Sequence, residues 1–137
     1  TEKIIGTWFN KTGLRDKIIL ASKIAGPGAY TQHIRSTGFS KDALIEALDQ
    51  SLKRLQTDYI DLYQLHWPER STNCFGRREF SVNENEKEWN DFESILQALE
   101  KFIKSGKIRY IGMSNETPYG LSKYLELHTK DIRSNSA

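Results

Sequence analysis

The sequence predicts an α/β fold in which parallel strands carry helices on their outside, and three observations lead there. Short apolar runs alternate with amphipathic runs in the order strand, helix, strand, helix, strand, helix. The stretches between strands are long enough to hold a helix, which parallel pairing needs and a hairpin does not. The strands are apolar enough to want cover on both faces. A barrel or an open doubly wound sheet satisfies these conditions. A sheet of three such strands leaves two unpaired edges, so the chain is not expected to close its core by itself.

The elements follow in order. Residues 1–9 have the apolar spacing of the last turns of a helix, and Lys11-Thr12-Gly13 reads as a turn. Residues 17–23, KIILASK, form an apolar run expected to be a strand buried on both faces. A loop with Gly26, Pro27, Gly28 and Gly38 shows no period. From Ser40, a good N-cap, Leu44, Ala47, Leu48, Leu52 and Leu55 recur at the spacing of one helical face.

Residues 59–66, YIDLYQLH, are rich in aromatic and branched side chains and are stopped by Trp67-Pro68, which defines a second strand. A polar stretch from Glu69 to about Lys87 is longer than most connections within a compact domain. The second helix is expected over residues 90–104, with Phe92, Ile95, Leu96, Leu99, Phe102 and Ile103 on one side and Gly106 as its stop. The third strand is residues 107–114. A third helix over residues 118–128 would turn Leu121, Tyr124 and Leu125 inward, and the polar run 130–137 is expected to trail off.

Composition narrows the function classes. Of 137 residues, 37% are hydrophobic and 28% charged, the balance of a single ordinary globular domain. The 20 basic and 18 acidic residues leave a net charge of +2 and are interspersed, which gives nucleic-acid binding no support. No apolar run approaches the roughly 18 residues of a membrane span, and no signal-peptide pattern opens the chain, so the expectation is a cytoplasmic protein with no membrane partner. The lone Cys74 reads as a loop thiol, with neither a disulfide partner nor companions at zinc-ligand spacing. No Gly-x-Gly-x-x-Gly or Walker-type loop follows any strand. His33 and His128 read as surface residues.

The unusual polar residues fall at one place in each unit, the end of the strand: Lys23, then His66, then Ser114 with Asn115. In parallel α/β folds this edge is where ligands and catalytic groups collect. Each residue alone has a structural reading as well. Lys23 could sit in an ion pair, or its charge could favour the ionised form of a neighbouring acid. His66 could be a satisfied core histidine, or could donate to a substrate oxygen beside an apolar wall formed by Trp67. Ser114 and Asn115 could cap the next helix, or could hold an amide such as the carboxamide of a nicotinamide ring.

Three stretches carry a family resemblance: Ala21-Ser22-Lys23, residues 51–68 (SLKRLQTDYIDLYQLHWP) and residues 106–115 (GKIRYIGMSN). In this order they resemble the aldo-keto reductases, and residues 68–76 (PERSTNCFG) resemble the bacterial Tas-like subgroup of that family. The resemblance implies a (β/α)8 barrel, with the three strands here as its third, fourth and fifth. It implies reduction of aldehydes and ketones by hydride transfer from NADPH, without metal, on a small-molecule carbonyl substrate. Lys23 matches the lysine that lowers the pKa of a proton-donating tyrosine, and His66 the histidine that orients the carbonyl. Ser114 and Asn115 match the pair that holds the nicotinamide carboxamide, and Trp67 would line the substrate pocket. The family's tyrosine and aspartate would lie before Thr1, and none of Tyr30, Tyr59, Tyr63, Tyr110, Tyr119 and Tyr124 matches that tyrosine. The chain is therefore expected to be an internal piece of such a barrel, inactive by itself. The same barrel resembles potassium-channel β subunits, so a binding or regulatory protein is the alternative.

Overall fold

The computed structural model describes residues 1–26, 31–33, 38–73, 78–79 and 91–134. Helices and strands alternate: α1 (Glu2–Thr12), β1 (Ala21–Ile24), α2 (Lys41–Leu55), β2 (Ile60–Leu65), α3 (Phe92–Lys104), β3 (Ile108–Met113) and α4 (Pro118–Ser134). The strands pair in parallel in the order β1-β2-β3, with Ala21 opposite Leu62 and Leu62 opposite Tyr110.

Local chemistry sets the ends of the helices. The Ala43 N–H donates to the Ser40 hydroxyl at 3.3 Å, capping α2 as its sequence predicts. Helix α3 stops at Gly106, whose φ of +74° suits a residue without a side chain. Their apolar stripes pack on one face of the sheet: Leu44, Leu48 and Leu55 from α2, and Ile95, Leu99 and Phe102 from α3, meet Ile24, Tyr63 and Leu65. Phe9 of α1 and Tyr124 of α4 extend the same core.

The opposite face carries no helix among the described residues. Strand residues alternate between faces, so Ala21, Lys23, Leu62, Gln64, Tyr110 and Gly112 share this second side in two register rows. Ala21 and Lys23 are exposed, and Tyr110 is 70% exposed.

A buried carboxylate ties the starts of the strands together. Asp61 of β2 accepts from the Leu20 N–H at 2.9 Å, from Arg15 at 2.8 Å and from Arg109 of β3 at 2.7 Å. The Arg15 guanidinium also lies 3.9 Å from the centroid of the Tyr59 ring. Every strand thus contributes at or beside its first residues to one satisfied charge, which is how a carboxylate can be buried in an otherwise apolar strand.

Several expectations need correction. The first strand begins at Ala21, later than residue 17, because Arg15–Lys17 form a 3-10 turn and Arg15 donates to the Ile18 carbonyl at 2.8 Å. It is covered on one face only, and Ile19 before it is 86% exposed. Helix α4 continues to Ser134 where a trailing tail was expected from residue 130, and it turns Tyr124 inward while Leu121 and Leu125 lie on its exposed flanks. Ile103 likewise sits at the exposed edge of the α3 stripe. Tyr30, Cys74, Asn90 and most of the long polar stretch lie outside the described residues. His33 and His128 are exposed, and no helix among the described residues is long and apolar enough to cross a membrane.

Candidate active site

The carboxyl ends of the three strands are stitched to one another by backbone. The His66 N–H donates to the Ile24 carbonyl at 3.1 Å, and the Ser114 N–H to the Leu65 carbonyl at 2.9 Å. Lys23, His66 and Ser114 therefore reach one sheet edge in successive strands, as the sequence places them.

Asn115 adds a side-chain stitch. Its Nδ2 donates to the His66 carbonyl at 2.8 Å and to Ser114 Oγ at 3.1 Å. Its φ is +55°, a left-handed conformation that asparagine tolerates better than most residues, and it turns the chain out of β3. Neither Ser114 nor Asn115 caps α4. That role belongs to Thr117, whose Oγ1 accepts from the Gly120 N–H at 3.2 Å, with Pro118 as the first helical residue. The pair is thus a stitch between strand ends and not a helix cap.

His66 is half-buried, and its ring centroid lies 4.6 Å from that of Trp67. Burial, and after it the positive charge of Lys23, holds the imidazole below its ordinary pKa of 6.5. The ring is thus neutral at neutral pH, with one N–H to donate. Lys23 is exposed on the open face, and among the described residues no carboxylate forms an ion pair with it. Trp67 is only 7% exposed. Its indole packs on Gly26, where an added Cβ would overlap the ring, so it supports the histidine from beneath the loop that follows β1.

Some of the residues here were not read from the sequence. Gln64 stands between Lys23 and Gly112 in one register row of the open face. Glu69, Arg70 and Glu116 link the loops of this edge. An arginine 46 residues from its glutamate partner has no local pattern to betray it. Asp61 did carry a signal, since a charge within an apolar strand demands partners.

The comparisons with known proteins bear on this edge. The aldo/keto reductase family model matches residues 1–135. Protein tas of Escherichia coli is 46% identical over 132 residues, which cover 95% of this chain and 38% of that protein. Aldo-keto reductase YhdN of Bacillus subtilis is 35% identical over 84% of this chain and 29% of its own length. Among solved structures, an aldo-keto reductase of Bacillus halodurans in its holo form aligns with a TM-score of 0.63 at 30% identity, covering 91% of this chain and 35% of that one. An aldo/keto reductase of Klebsiella pneumoniae in complex with NADP and acetate aligns with a TM-score of 0.59 at 29% identity, over 88% and 32% of the two chains. The chain thus spans about a third of the length of these relatives. Its three parallel strands and outer helices are a portion of a (β/α)8 barrel, and the open face of the sheet is the side that looks inward. The chain belongs to the aldo/keto reductase family.

Proposed function

We propose that this chain supplies part of the active site of an oxidoreductase that reduces aldehydes and ketones to alcohols with NADPH. The observation that carries the reading is the convergence of Lys23, a neutral His66 and the Ser114–Asn115 pair on one sheet edge. That NADP accompanies the solved Klebsiella relative supports the choice of cofactor.

The residues present fit a nicotinamide carboxamide. That group offers one acceptor and two donors, and Ser114 Oγ can donate or accept. With its amide nitrogen committed to the His66 carbonyl, Asn115 would meet the carboxamide through Oδ1, an acceptor. When bound, NADPH supplies the hydride. The protein's part is to fix the carbonyl carbon against it and to stabilise the negative charge that grows on the oxygen. His66 would do so by donating its N–H to that oxygen from a half-buried position, where a hydrogen bond is stronger than in water.

Lys23, charged and open to the inward face, would favour the ionised form of an acid placed beside it, making that acid a better proton donor to the product alkoxide. Among the described tyrosines, Tyr59 lies against Arg15, Tyr63 and Tyr124 are in the core, Tyr119 belongs to α4, and Tyr110, although on the open face, stands two strands from Lys23 and in the other register row. The isolated 137-residue segment is therefore expected to be inactive. The reading is tested by titrating the purified full-length protein with NADPH and following its oxidation with and without an aromatic aldehyde. Saturable binding with aldehyde-dependent oxidation is expected, and an absence of both would overturn it.

A further inference from the structure

Directly after the histidine edge, Glu69 and Arg70 reach in opposite directions. The Phe39 N–H, in the loop before α2, donates to the Glu69 carboxylate. A Cβ at Gly38 would overlap that carboxylate, so the chain passes it closely. Arg70 reaches forward. Its Nη1 donates to Glu116 Oε2 at 3.1 Å and its Nη2 to Thr117 Oγ1 at 2.8 Å, while Nη2 also meets Glu116 Oε1. Glu116 in turn accepts from the Thr117 N–H at 2.7 Å. The guanidinium is further enclosed by the rings of Phe92 and Tyr119, at 5.4 and 5.9 Å.

This ion pair is buried, its side chains 12% and 8% exposed. Desolvating two charges offsets most of their attraction, so such a pair contributes little net stability. What it does supply here is geometry. A two-donor grip on a carboxylate fixes distance and angle together. Its two ends stand four residues after His66 and one residue after Asn115.

We infer that Glu69 and Arg70 form a positioning bracket. It holds the loop after β2 between the loops after β1 and β3, and so sets the separation of His66 from Ser114 and Asn115. The inference rests on the proposed reductase reading, in which that separation is the distance between the carbonyl and the hydride donor. Neither residue touches substrate or cofactor in this account. Displacement of reacting groups by about 1 Å can cost about a hundredfold in rate, so loosening the bracket should appear in the chemical step.

The test uses the full-length protein and the variants Arg70→Met, Arg70→Lys, Glu116→Gln and Arg70→Met/Glu116→Gln. Turnover, NADPH affinity and the isotope effect from NADPH deuterated at its transferable position are measured for each. Arg70→Met should lower kcat by about tenfold or more and raise the isotope effect, while NADPH affinity changes by less than about threefold. Arg70→Lys should recover only part of the loss, since an ammonium lacks the planar fork. The double variant should be little worse than Arg70→Met, because both changes break one contact. Should Arg70→Met fail to fold, Glu116→Gln, which keeps an oxygen for the Thr117 N–H, is read by the same isotope effect. Unchanged kcat and isotope effect in a wild-type protein that reduces aldehydes, even with a lowered Tm, would overturn the bracket and leave the reductase reading standing. A wild-type protein that neither binds nor oxidises NADPH would overturn both.

Discussion

The side-chain amide of Asn115 donates to the backbone carbonyl of His66 at 2.8 Å, so the end of β3 is held against the end of β2 by a group that is itself a candidate cofactor contact. The bond needs the left-handed backbone of Asn115, whose φ is +55°. Two effects can therefore be separated. Asn115→Ala loses the hydrogen bond and strains the backbone, and should destabilise the full-length protein by about 2 kcal/mol. Asn115→Gly loses the bond but relieves the strain, and should cost less. Denaturant unfolding of the two variants checks the order, and a glycine variant less stable than the alanine would contradict it.

The Asp61 cluster makes a pH prediction. Burial raises the carboxyl's pKa, but the Leu20 N–H and the charges of Arg15 and Arg109 outweigh it, and the group ends below its ordinary value of 3.8. A carboxyl with a depressed folded pKa contributes stability that is present above the unfolded value. That contribution is lost as pH falls through the lower folded value. Asp61→Asn should remove it, destabilising the protein by about 3 kcal/mol at neutral pH by leaving Arg15 without its charge partner. Thermal melts of wild type and variant should converge below pH 3.8, and a gap that persists in acid would contradict the assignment.

His66 acts on stability in the same direction, although here it is the charged form that the fold disfavours. Its folded pKa lies below 6.5, through burial and then through Lys23, so protonation favours the unfolded chain. Stability should rise with pH from the folded pKa to 6.5 and level off above it. Removing the neighbouring charge in Lys23→Met should raise the pKa of His66, read from its ring proton resonances. A pKa that falls or stays would mean that the two side chains do not sense each other.

Much of this arrangement is legible in the sequence, and the exceptions have physical causes. The capped stripe of α2, the glycine stop of α3 and the polar residues at the strand ends all follow from local chemistry. Residues 17–20 look like strand because they are apolar, yet Arg15 bends the chain into a 3-10 turn and the ladder starts at Ala21. Leu121 and Leu125 look inward because leucines usually are, but Gly120 and Tyr124 define the packed side of α4. The bonds that shape the site, Asn115 to His66 and Arg70 to Glu116, join residues 49 and 46 positions apart. Such pairings depend on the register of whole strands, and no local period announces them.

In the proposed reductase His66 acts on the reacting oxygen, and the most direct measurement is the split between turnover and cofactor affinity in His66→Ala. The full-length protein is assayed for NADPH oxidation with a reactive aromatic aldehyde, beside a fluorescence titration with NADPH. A fall in kcat of about a hundredfold or more is expected, the cost of losing a donor aimed at developing charge, with NADPH affinity changed by less than about threefold. Unchanged turnover, or equal losses of turnover and cofactor affinity, would contradict it.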